Sequence, residues 1–127
     1  MVNQLLLVSS IVCSIIHIGA LWYYPRVPHG YSFILIKGAL ISICDHGSMC
    51  YMARRFDRLT ITRALAMNLS YMEQTNTLII ASPLMILAVA LYLIGKHTWP
   101  HPLSNMMHTM AHILITATHL IIIASFS

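Results

Sequence analysis

Charge is what this sequence has least of. Its 127 residues include seven Lys or Arg and three Asp or Glu, or 8% charged, where a soluble domain carries roughly 25%. Such a chain cannot cover a water-facing surface, so a soluble enzyme or a free nucleic-acid-binding module is excluded. Cysteine is scarce as well: Cys13, Cys44 and Cys50 all lie in apolar stretches. They form neither a secreted disulfide framework nor a paired-cysteine metal motif. The opening Met-Val-Asn-Gln lacks the basic region of a signal peptide and the Arg-rich character of a transit peptide. No internal repeat and no low-complexity segment is present.

What the chain has instead is apolar length, with 58% hydrophobic residues. A hydrocarbon core of about 30 Å needs about 20 apolar helical residues, and four segments qualify, at about 5–24, 31–53, 77–95 and 103–126. Backbone without hydrogen-bond partners is intolerable in lipid, so each is expected to be a helix. The expected fold is therefore all-α, a single integral membrane domain over 1–127 built as a four-helix bundle. The longer stretch between the second and third spans carries an amphipathic run, Ala64 to Gln74, expected to lie along the interface. Arg54, Arg55, Arg58 and Arg63, opposed by Asp57, mark this stretch as the loop kept on the cytoplasmic or matrix side. Arg26 and Lys96 then fall outside, and both termini inside. The same arginines suit anionic lipids such as cardiolipin, or an acidic partner surface, better than nucleic acid. Trp22, Tyr23, Tyr24 and Trp99 read as an interfacial aromatic belt.

Ionisable side chains within spans are costly and mark candidate sites. At 100° per residue, His108, His112 and His119 fall within about 40° of arc on one face of the last span. Sorted by depth under the four-span topology, His17, His108 and His112 form an outer layer, and His46, His119 and Asp45 an inner one. Two layers of imidazoles resemble the small four-helix two-haem cytochromes b, which implies haem b ligation by His17 with His108 or His112, and by His46 with His119. Three histidines on one face can equally do no more than hydrogen-bond neighbouring helices.

A second resemblance lies in Gly38, followed seven positions later by Asp45 and then His46-Gly47, together with Ser14-Ile15-Ile16-His17. These segments resemble the membrane anchor subunits of succinate dehydrogenase (respiratory complex II). The likeness covers about 20 residues and implies a quinone pocket at Asp45, His46 and Ser48, with ubiquinone as substrate. The chain departs from that family in placing Ile34 where its haem histidine would fall, in having Ile18 after His17, and in its number of spans. A third likeness, Ser14, His17, Asp45 and His108-x-x-x-His112, is to the ceramidase and adiponectin-receptor superfamily. It implies a zinc-dependent membrane hydrolase, although that family has seven spans and a different Ser–His spacing.

Together these features point to a membrane subunit of a mitochondrial respiratory electron-transfer complex. The expected role is to anchor a peripheral partner among other subunits and to help form a quinone or haem site rather than to catalyse alone. The mitochondrial inner membrane is the expected location, with a bacterial inner membrane as the alternative. An accessory subunit without cofactor is the structural alternative.

Overall fold

The computed structural model describes residues 3–48 and 50–127; Met49, inside the expected second span, and residues 1–2 lie outside them. The described residues form five helices and no strand: α1 (Gln4–Tyr23), α2 (His29–Ser48), α3 (Tyr51–Gln74), α4 (Leu78–His97) and α5 (Leu103–Ala124). Of these, α1, α4 and α5 are long and apolar enough to cross a membrane. Their outward faces carry large bare aliphatics such as Ile15, Ile79, Ile80 and Ile86, an apolar exterior suited to lipid.

Local chemistry sets the helix ends. Asn3 caps α1, its Oδ1 accepting from the Leu6 amide at 3.1 Å. Pro25 and Pro28 separate α1 from α2. At the end of α3, Asn76 sits at φ 57, the left-handed region that asparagine tolerates. There the Thr77 amide donates to Met72 O and the Asn76 amide to Glu73 O. This Schellman arrangement satisfies the last carbonyls of α3 and turns the chain sharply back into α4.

The α3 helix corrects the four-helix expectation. The region read as a basic loop and an interfacial segment is one 24-residue helix packed antiparallel along α2. Tyr31 meets Asn68 and Tyr71 at one end, Gly38 meets Thr60 in the middle, and Asp45 meets Arg54 at the other. The five helices therefore alternate in direction, with four reversals. The upper end holds the α1–α2 and α3–α4 connections and the C-terminus. The lower end holds the Asn3 end of α1, the α2–α3 junction and the α4–α5 connection. The termini thus lie at opposite ends, and Lys96 shares the lower end with Arg54. The aromatic belt divides in the same way, with Trp22 and Tyr23 exposed above and Trp99 below.

The densest apolar core fills the upper half, where Val27, Tyr31, Met72, Ala81, Met85 and Ile122 pack together. Lower down, α4 and α5 approach closely at Gly95. A Cβ there would lie 2.9 Å from the Ser104 carbonyl oxygen, and the Ser104 hydroxyl donates to the Gly95 carbonyl. Small-residue contact of this kind is how helices associate in lipid. By contrast α3 touches α4 only lightly, so the two splay apart towards the lower end.

Candidate functional site: a bundle cavity between two histidine clusters

Between the helices lies a cavity of about 360 Å³, walled by side chains from all five. Its lining is mainly apolar. The polar groups in the wall include the Ser10–Ser42 hydroxyl pair, 3.1 Å apart, the buried Asp57, Thr60, Asn68 and Thr116, and histidines at either end. On one flank the lining includes Arg58 and Ile61 of α3 and Leu93 and Lys96 of α4, all exposed. The gap left where α3 and α4 diverge is therefore a lateral opening of the cavity.

At the upper end a buried hydrogen-bonded chain crosses four helices. Tyr31 Oη donates to Asn68 Oδ1 at 2.6 Å. Asn68 Nδ2 lies 3.0 Å from His119 Nε2, His119 Nδ1 lies 2.7 Å from His17 Nε2, and His17 Nδ1 lies 2.6 Å from the Cys13 carbonyl. The carbonyl only accepts, so His17 carries its proton on Nδ1. In a neutral ring its Nε2 must then accept, which puts the proton of His119 on Nδ1 and leaves Nε2 to accept from the Asn68 amide. One consistent assignment satisfies every member, which is the condition for burying such groups.

At the lower end His46 of α2 packs against His108 and His112 of α5. The three rings form a near-equilateral triangle, with centroids 5.1, 5.2 and 4.7 Å apart. Tyr92 of α4 covers His108, its ring centroid 5.1 Å away. His112 Nδ1 is 2.9 Å from Ser9 Oγ, and the Ser9 hydroxyl donates to the Leu6 carbonyl.

The histidine face expected on α5 is real, but its partners differ from the depth assignment. His17 meets His119 rather than His108 or His112, and His46 meets His108 and His112 rather than His119. The reason is direction: with α3 upright in the bundle, α5 runs parallel to α1 and enters from the lower end. His17 and His119 are bonded directly to each other, so a haem between them would require α1 and α5 to part. The quinone trio is not gathered in one place. Asp45 Oδ1 lies 3.6 Å from Arg54 Nε, His46 belongs to the triangle, and the exposed Ser48 hydroxyl returns to the Cys44 carbonyl of its own helix. None of the three lines the cavity. The hydrolase set is divided too: Ser14 bonds to the Ser10 carbonyl and His17 sits above, while His108 and His112 sit below and Asp45 faces Arg54.

Sequence reasoning missed Asp57, Asn68, Tyr92 and Ser9. Asp57 was read as a counter-charge in a basic loop and Asn68 as part of an interfacial helix. A signal for both was present, since Asp57, Thr60, Ala64 and Asn68 recur at helical spacing. No protein-family model, curated protein or solved structure matches this chain.

Proposed function

We propose that the chain is a membrane subunit of a respiratory electron-transfer complex, most like a succinate dehydrogenase anchor, and that its bundle cavity receives a quinone headgroup. The carrying observation is the cavity itself, mainly apolar, set among all five helices and open sideways between α3 and α4. Its volume falls in the range of small-molecule sites, about 300–1,000 Å³. A flat ring with two carbonyl oxygens and an isoprenoid tail suits such a space, the tail leaving through the lateral gap. Asp57 and the Ser10–Ser42 pair supply polar partners in a mainly apolar wall. Reduction of a quinone to its quinol takes two electrons and two protons. The electrons would come from a redox centre in a peripheral partner, which Arg54, Arg55 and Arg58 would help to dock at the lower end. The same arginines would bind anionic lipid where the partner leaves them free. The mitochondrial inner membrane is the proposed location.

Photo-crosslinking with an azidoquinone tests the reading. Label is expected on cavity-lining peptides of the five helices and should be displaced by excess unlabelled quinone. Asp57→Asn is expected to weaken that displacement several-fold, whereas Asp45→Asn, altering a group outside the cavity, should not. Label that falls elsewhere, or that quinone does not displace, overturns the proposal and leaves an accessory subunit without cofactor.

A further inference from the structure

The lower histidine triangle borders the cavity through His108 and His112, and its chemistry differs from that of the rest of the wall. His108 and His112 stand one turn apart on α5, and His46 reaches them from α2. One ligand atom from each lies within 4.8 Å of the others. We infer that His46, His108 and His112 form a binding site for a borderline divalent cation, with Zn²⁺ the ion of choice.

Three observations carry this beyond the proximity of three rings. The first is the anchoring of His112. Its Nδ1 lies 2.9 Å from Ser9 Oγ, and that hydroxyl has the Leu6 carbonyl at 3.0 Å to donate to. In that arrangement His112 Nδ1 donates to Ser9 and its Nε2 lone pair stays available, as when an outer hydrogen bond orients a histidine ligand in a metal site. The second is His46, whose Nε2 is buried with no hydrogen-bond partner. A polar atom in that position costs stability unless something binds it, and a cation is one such partner. The third is the donor set itself, three imidazole nitrogens with no carboxylate or thiolate among them. Neutral imidazoles suit zinc and its transition-metal neighbours, whereas calcium and magnesium require oxygen ligands.

Tetrahedral zinc with bonds of about 2.0 Å holds its nitrogens about 3.3 Å apart, so small rotations of the rings would close the triangle. His108 and His112 also line the cavity, which places the fourth coordination position towards it. The ligand there would be exchangeable, as in open zinc sites. Negative charge is at hand as well: Asp45 follows Cys44 directly before His46, and its Oδ1 is buried without a hydrogen bond, 3.6 Å from Arg54 Nε.

The inference rests on the side chains alone and needs no quinone. Its test is equilibrium dialysis of the untagged protein, in lipid nanodiscs without quinone, against Zn²⁺. One zinc per chain is expected above an empty-nanodisc control. The combined His29→Ala, His97→Ala, His101→Ala variant, which removes the histidines of the loops and helix ends, should keep it. His108→Ala with His112→Ala should lose it, as should His46→Gln. Failure of the wild type to retain zinc overturns the site, and so does full retention by His46→Gln. Should the double variant not fold, X-ray absorption of the zinc-loaded wild type decides: a shell of three imidazoles is expected, and a shell with fewer rejects the assignment.

Discussion

At the scale of single residues, Asn68 is the position on which most depends. Its side chain bridges Tyr31 and His119 and is fully buried. Asn68→Leu would strand a hydroxyl and an imidazole nitrogen together, each costing about 1–3 kcal/mol. A loss of several kcal/mol is therefore expected in a thermal or denaturant unfolding assay in detergent. Tyr31→Phe strands only one group, Asn68 Oδ1, and should cost about 1–3 kcal/mol. Equal effects from the two would mean that the chain of hydrogen bonds is not a unit. The sequence displayed His17, His46 and the α5 histidines clearly, because ionisable groups stand out in apolar helices. Asn68 did not stand out, because it sits beside Met67, Leu69 and Ser70 in a mixed run that reads as an interfacial helix.

The helix scale explains what was and was not readable. Apolar runs bounded by proline located α1, α4 and α5 to within a few residues. The expected second span begins two residues after the start of α2 (His29–Ser48), and its expected end at residue 53 runs into α3, which begins at Tyr51. The α3 helix was lost because its buried face is polar: Asp57, Thr60 and Asn68 are buried with Met72, while Phe56, Leu59 and Leu69 are exposed. A search for an apolar stripe turned inward selects the wrong face of such a helix, since in lipid the scarce polar groups are those that need protein neighbours. Packing at this scale also sets a tolerance. Gly95→Ala would drive a methyl into the Ser104 carbonyl and push α4 from α5. A loss of about 1–3 kcal/mol is expected, whereas Gly19→Ala, inside α1 with open space around it, should be neutral to stabilising by up to about 1 kcal/mol. Unfolding midpoints of the two variants provide the comparison.

For the whole molecule, one missed helix changed the parity of the bundle, and with it the direction of every element that follows. The upright α3 turns α5 around, exchanges the histidine partners and separates the termini. With Arg54, Arg55, Arg58 and Lys96 gathered at the lower end, the positive-inside tendency would place that end on the retained side. An impermeant maleimide should then label the exposed native Cys50 and a Ser127→Cys variant lacking Cys44 and Cys50 from opposite faces of oriented vesicles. Labelling from one face would restore an even number of crossings. The gap on the flank between α3 and α4 carries a consequence of its own. A ligand admitted from the side is drawn from the surrounding hydrocarbon, so occupancy follows its mole fraction in that phase rather than its aqueous concentration. Diluting a loaded sample with empty vesicles should therefore unload it, while adding the same volume of buffer should leave it nearly full.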